Sequence, residues 1–248
     1  SAELKLDGLA INLLYKNGCR HFFVATFKEA FQIRSKYKGG YIYILNGINK
    51  KNIRLLRNNN NIIPIINSLE KINEFRNETI NFKKKIEIGL HLDTGINRLG
   101  ININSLKKVD KNIKLKILLS HLSSADEKMN KYNRIQMYRF KSFLQIFKNT
   151  KLKSLSNSMG ILLGKDYHLD LTRPGIALYG GHYNNSKFKK KIKPVIKLKA
   201  EILQIKSISK NSFIGYNQTF KTKRNMTIAI IGIGYADGIP RYLSNNLY

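Results

Sequence analysis

One histidine and two arginines fall at the same kind of place in this sequence, just past a short apolar run. Asp93, Thr94 and Arg98 follow the run that ends at Leu92. Ser120 and His121 end the next, with Asp126 and Glu127 beyond, Asn157 and Ser158 end another, and Arg173 ends the last. Taken singly, each reads as a cap or turn residue, because Ser, Thr, Asp and Asn are the usual helix N-caps. Histidine and arginine are uncommon there, so their recurrence points to a site. Histidine exchanges a proton near neutral pH, and a guanidinium donates hydrogen bonds while keeping its own proton. No metal-ligand spacing and no Gly-x-Ser-x-Gly elbow accompanies them, so metalloenzyme and serine-hydrolase readings lack their signatures. The stretch GIGYADG at 232–238 resembles a nucleotide loop, but no helix pattern follows it.

The elements that must hold these residues show in the apolar rhythm. Runs at 21–26, 41–45, 61–67, 85–93, 116–122, 152–158 and 168–174 are separated by polar or helical stretches, and residues 4–6 offer one more. Apolar runs of this length without clean alternation read as strands buried on both faces, hence parallel. Between them, Met129, Tyr132, Ile135, Tyr138, Phe143 and Phe147 fall near a 3.6-residue period, which predicts a helix over 127–148 capped by Asp126. About eight such β-α steps favour a (β/α)8 barrel of the TIM type over an open doubly wound sheet. In such a barrel, chemistry sits at the C-terminal strand ends, where the residues above fall.

Past Gly181 the pattern changes. Residues 195–208 alternate apolar and polar, and another apolar run starts at 227 with no helix between, so a second, β-rich domain is expected. The reading is a barrel over 1–183 and a partial β domain over 184–248, the chain being truncated at both ends.

The formal charge of +30 on 248 residues raises nucleic acid or an anionic membrane as a partner. The lysines are scattered, with short runs only at 83–85 and 189–191, and abundant Asn and Ile accompany them, as AT-rich coding sequence favours. With no nucleic-acid motif beside the charge, neither partner is expected. Cys19 is the single cysteine, which excludes an internal disulfide and suits a buried small residue. No run reaches the length of a membrane span and no signal pattern opens the chain, so a cytoplasmic protein is expected.

At these same positions the sequence resembles the alanine racemase family, whose members are fold-type III pyridoxal-phosphate enzymes. The resemblance is carried by HLDTGINRLG (91–100), SHLSSADE (120–127), SNSMG (156–160), LTRPGIALYG (171–180), GYNQTF (215–220) and GYADGIPR (234–241). It implies an isomerase that interconverts L- and D-alanine with pyridoxal 5'-phosphate, supplies D-alanine for peptidoglycan, and works as a homodimer sharing its active sites.

The resemblance also implies roles. Lys5 would hold the cofactor and act as one base, although LDGLAIN follows it with Asp7 and Gly8 in place and the family's tyrosine absent. Tyr216, delivered from a partner subunit, would be the opposing base. A phenol is a poor base at neutral pH, with a pKa of about 10, so His121 behind it and Arg173 behind the histidine would favour the phenolate. Arg173 would also meet the ring nitrogen without protonating it, which weakens the electron sink and suits racemisation. Ser158 with the backbone N–H groups near Gly175 and Ile176 would cradle the phosphate, and Asn157 would lie beside the ring. Arg98 would meet the phenolic oxygen and the substrate carboxylate, and Tyr216 and Tyr235 would join it around the substrate. Where the family often has a carbamylated lysine to orient that arginine, this sequence has His91, which leaves a bound anion or Asp93 for the task. A racemase of serine or another small amino acid and an inactive cofactor-binding barrel stand as alternatives.

Overall fold

Short runs of β-branched and aromatic residues settle into strands: β1 (His21–Val24), β2 (Tyr41–Ile44), β3 (Ile62–Ile66), β4 (Ile88–His91), β5 (Leu115–Leu119) and β6 (Leu152–Ser154). In the computed structural model, which describes residues 8–59, 61–83, 85–110, 113–181 and 192–243, they pair in the order β1 to β6, each pair parallel. Between and before them run α1 (Gly8–Lys16), α2 (Phe27–Lys36), α3 (Lys50–Leu55), α4 (Leu69–Thr79), α5 (Ile103–Leu106) and α6 (Tyr132–Leu144). A doubly wound sheet needs a point where the strand order reverses, and these six strands show none. Their order is that of the expected (β/α)8 barrel.

Two further strands were expected. Residues 4–6 lie outside the described residues. Residues 168–174 are not a strand: Leu169 takes φ 51°, and the Asp170 carboxylate accepts the Lys153 N–H at 2.9 Å, so a side chain takes a bond that a strand ladder would use. Only two backbone bonds tie the segment beside β6, Asp170 N to Lys153 O and Arg173 N to Ser156 O. Those bonds still bring Arg173 to the strand ends.

The strands are apolar on both faces because each face has something to meet. Ile42, Ile44, Ile62, Ile66, Leu90 and Leu118 pack outward with Ile33, Ile53, Phe75 and Phe140 of the helices. Tyr43, Ile63, Ile65, Ile117 and Leu119 form a second, inward cluster. Gly89 belongs on that inner face, where an added Cβ would collide with the side chains of Ile65 and Ile117. Beside it the register slips, Ile88 opposing Leu115 and Gly89 opposing Ile117, which leaves Lys116 as the extra residue of a β-bulge. Lys116 is 7% exposed, with its ammonium 3.7 Å from Glu87 and 3.7 Å from the centre of the Tyr41 ring. Tyr43 bonds His21 Nδ1 at 2.9 Å near this pair. A buried lysine is tolerable there because a carboxylate and a ring face replace its water.

Helix α6 differs from its expected form. It starts at Tyr132, with Asn130 Oδ1 accepting the Tyr132 N–H, and Asp126 is exposed and caps nothing. Met129, Ile135 and Tyr138 are exposed, at 89%, 42% and 76%, while the buried stripe is Asn133, Gln136, Met137, Phe140 and Phe143. An apolar-only period cannot find a stripe whose first half is made of amides. Asn133 Nδ2 donates to Glu127 O at 3.0 Å, and Gln136 Nε2 to His121 O at 3.0 Å.

The chain divides into units at Lys193 and Pro194. In the second unit, β7 (Ile202–Ile208) pairs antiparallel with β10 (Met226–Ile231), and β8 (Phe213–Ile214) pairs with β9 (Phe220–Lys221). Only the later part of the expected strand over 195–208 forms a ladder. Thr222, 1% exposed, ties the small hairpin: its Oγ1 donates to Ser209 O at 2.7 Å and accepts the Ser212 N–H at 2.9 Å. No helix among the described residues is long and apolar enough to cross a membrane. Cys19 is half-buried, its thiol toward the His21 carbonyl.

Because Gly89 is walled by Ile65 and Ile117, Gly89→Ala should lower stability by about 1–3 kcal/mol through overpacking. Urea unfolding measures this directly, and an unchanged midpoint would show that the inner face has slack.

Candidate functional site

The loop after β4 is built to hold its shape. Asp93 N donates to Ile101 O at 3.0 Å and Ile101 N to His91 O at 2.8 Å, closing its base. Asp93 Oδ1 accepts the Gly95 and Asn97 N–H groups at 2.9 and 3.2 Å, an anion holding a tight turn in which Asn97 takes φ 54°. Gly100, at φ +133°, packs so closely that a Cβ would stand 2.6 Å from Asp93 N. Arg98 rides exposed on this loop, and among the described residues no ion pair joins it to Asp93. The expectation that Asp93 orients Arg98 is therefore not met, since the carboxylate is engaged by backbone.

The next two strand ends converge with the 168–174 segment. Arg173 Nε donates to Ser154 Oγ at 2.8 Å, and its Nη2 donates to the Ser120 carbonyl and, at 3.3 Å, to Leu155 O. Arg173 thus reaches the strand that bears His121 through the Ser120 carbonyl. Asn157 Nδ2 lies 3.4 Å from His121 Nε2 and donates to Leu122 O at 3.2 Å, and its Oδ1 accepts the Gly160 N–H. Ser158 is buried, and its Oγ accepts from Gly175 N at 2.9 Å and Ala177 N at 3.2 Å, where the short 3-10 helix Ile176–Tyr179 begins. Having accepted twice, this hydroxyl keeps its own proton to donate.

Charge is unbalanced here. His91 is 5% exposed with Nε2 unpartnered, and burial, then Arg173 and Arg98, lower its pKa to about 4. Burial and the same arginines, with His91, lower His121 to about 3. Arg173 is lowered to about 10, by burial and by Arg98, and keeps its proton at neutral pH. Two cations and two neutral imidazoles therefore meet at the strand ends, with Asp93 committed to its own loop. The His121 imidazole is neutral here, so the fixed charge on this side is that of Arg173. By contrast, a cavity of about 190 Å³ with Arg57, Lys85, Glu87 and Lys114 in its wall opens at the opposite ends of β3 to β5 and holds none of these residues.

Tyr216 and Tyr235 belong to the second unit. Tyr216, 73% exposed, sits in the turn between β8 and β9, where Gly215, Asn217 and Gln218 all take positive φ. Left-handed conformations at Asn and above all Gln cost free energy, and such strain gathers where a side chain must be presented. Tyr235 is exposed in a turn held by Asp237 Oδ2 accepting the Gly234 N–H at 3.0 Å. Lys5 lies outside the described residues. Sequence reasoning missed Gln136, which is fully buried and tied to these loops, in part through the strand-end residue Thr94. A glutamine on the inward stripe of a helix was the available signal.

Both histidines bind protons less readily when folded, so between pH 6.5 and about 4 the unfolded chain holds more protons and stability falls as pH falls. Urea unfolding of the cofactor-free chain at pH 6.5 and 4.5 should show this loss, and His91→Asn with His121→Asn should shrink it. An unaltered pH slope in the double variant would mean that these imidazoles titrate normally.

The N-terminal domain model of alanine racemase matches residues 7–183 and the C-terminal domain model of the same family matches residues 195–248. An alanine racemase of Rickettsia bellii is 38% identical over 240 residues, 94% of this chain and 58% of that protein. One from Rickettsia africae is 40% identical over 241 residues, 94% of this chain and 65% of its own length. The chain thus spans about 60% of the length of these relatives. Among solved structures, the Bartonella henselae alanine racemase with covalently bound pyridoxal phosphate superposes with a TM-score of 0.80 at 34% identity, covering 95% of this chain and 67% of that one. The biosynthetic alanine racemase of Pseudomonas aeruginosa gives a TM-score of 0.81 at 25% identity, over 94% and 66%. Both units are matched, in order, by one family: the chain belongs to the alanine racemase family.

Proposed function

We propose that this chain interconverts L- and D-alanine with pyridoxal 5'-phosphate, as a cytoplasmic homodimer whose D-alanine feeds peptidoglycan. The observation that carries the reading is the uncompensated pair of arginines beside neutral imidazoles at the strand ends. The residues present fit the cofactor. Among the described residues His91 Nε2 is buried without a partner, the exposed Gly175 leaves the approach to this turn open, and the neighbouring Ser158 hydroxyl has a proton to give. An anionic ring system with a phosphate would answer all three and neutralise the arginines.

When bound, pyridoxal phosphate supplies an electron sink that acidifies the Cα–H of an amino acid joined to it. The Ser158 hydroxyl proton and the Ile176 N–H would hold the phosphate, the Gly175 N–H being engaged by Ser158 Oγ. Arg173, protonated across the physiological range, would donate to the ring nitrogen and keep its proton. Arg98 would hold the substrate carboxylate, with Tyr235 beside it. Lys5 would exchange the proton on one face of Cα and Tyr216 of the partner protomer on the other, with neutral His121 passing the influence of the Arg173 charge to the phenol.

Purified chain loaded with the cofactor should convert L-alanine to D-alanine, followed by circular dichroism or a D-amino-acid oxidase couple. Tyr216→Phe should lower kcat by about 10²–10⁴-fold, the usual worth of a positioned base, and leave the visible cofactor absorbance in place. Ser158→Ala should weaken cofactor binding about tenfold, the worth of one hydrogen bond to a charged group. Turnover of L-serine but not L-alanine would move the substrate assignment, and cofactor binding with no turnover of either would end the enzyme reading.

A further inference from the structure

Gln136 is fully buried in α6, yet nothing in a helix requires an amide there. All of its polar capacity is spent on two loops. Its Nε2 donates to Thr94 Oγ1 at 3.2 Å and to the His121 carbonyl at 3.0 Å, and its Oε1 accepts the Ser123 N–H at 2.9 Å and the Ser123 hydroxyl at 3.1 Å. Two N–H groups and two lone pairs are what a primary amide offers, so the group is saturated. The same helix face adds Tyr132 Oη to Gly95 O at 3.0 Å and Arg139 Nη1 to Thr94 O at 3.1 Å, at i−4 and i+3 from Gln136. Thr94 and Ser120 complete the junction through a 2.8 Å hydroxyl pair.

We infer that Gln136 is a positioning residue, the clamp that sets the loop carrying Arg98 against the loop carrying His121. No carboxylate holds Arg98 in place, because Asp93 serves its own turn, and no ion pair among the described residues fixes the loop of His121. The backbone on each side must then be fixed from outside, and α6 is the element that touches both. An apolar side chain of the same size would fill the volume and leave the Thr94 hydroxyl, the His121 carbonyl and the Ser123 N–H without this partner. The amide sets register where a leucine would only exclude water. This inference rests on the racemase reading for what the two loops are positioned to do.

The test compares Gln136→Met, which keeps length and loses the bonds, with Met137→Ala, which opens the core one residue along the same helix. In the cofactor-free chain, hydrogen-deuterium exchange of residues 93–100 and 120–125 should speed up about tenfold in Gln136→Met. In Met137→Ala those loops should exchange as in the wild type despite a comparable drop in melting temperature. The dissociation constant for pyridoxal 5'-phosphate, read by absorbance titration, should rise about tenfold in the first variant and stay within twofold in the second. If Gln136→Met does not fold, Gln136→Glu, which retains the accepting oxygens toward Ser123, takes its place with loosening expected over 93–100. Loop exchange within twofold of the wild type, or equal loosening in Met137→Ala, overturns the clamp. Should the wild-type chain bind no cofactor, the racemase reading fails on that result while loop exchange still decides the clamp.

Discussion

The Arg173 guanidinium is held by one hydroxyl and two carbonyls contributed by β5, β6 and the residues just past them, with no carboxylate among its partners. Three neutral dipoles take up three of its five N–H groups and leave its charge uncancelled. Burial, and after it that charge, lower the pKa of His91 and of His121, and both imidazoles are neutral at physiological pH. It also makes the strand ends a place where an anion is stabilised, which is the property a phosphate-bearing, anionic cofactor requires. The shape of the surrounding loops follows from the same constraint, because a loop bearing an arginine cannot be fixed by that arginine when no acid faces it.

The two ends of the sheet resolve charge in opposite ways. At the N-terminal end, Lys116 is turned inward by a bulge and meets Glu87 and the Tyr41 ring, a buried cation with its counter-charge beside it. Such a pair contributes little net stability, but its partners leave no demand for a ligand. At the C-terminal end, Arg98 and Arg173 approach each other closely enough to lower the pKa of Arg173, and Asp93 is taken by backbone amides. The cation buried at one end is paired and the one at the other is not, which agrees with the division between the stabilising and reactive faces of a (β/α) barrel.

Six of the expected strands were legible because burial on both faces forces continuous apolar runs. The candidate site residues stood out because arginine and histidine are poor caps, conspicuous at strand ends. The strand expected over 168–174 failed for a reason outside periodicity: a carboxylate took a ladder bond and Leu169 left the extended region. Helix α6 lies inside the expected span but starts later, at Tyr132, and of the expected stripe Phe143 and Phe147 are buried while Met129, Ile135 and Tyr138 are exposed, because the residues the helix buries first are Asn133 and Gln136.

By itself the sequence determined the class of fold, the order of its elements, the second β-rich unit and the set of polar residues at strand ends, since each depends on patterns along the chain. Only the tertiary structure decided what those residues are. Whether His121 carries a charge depends on burial and on Arg173, fifty-two positions away in the chain. Whether Asp93 serves Arg98 or its own turn depends on the local path of the backbone. Whether Gln136 faces solvent or joins two loops depends on which side of α6 meets the sheet. Protonation, hydrogen-bond choice and helix rotation are set by distances between residues remote in sequence, and a one-dimensional pattern carries no such distances.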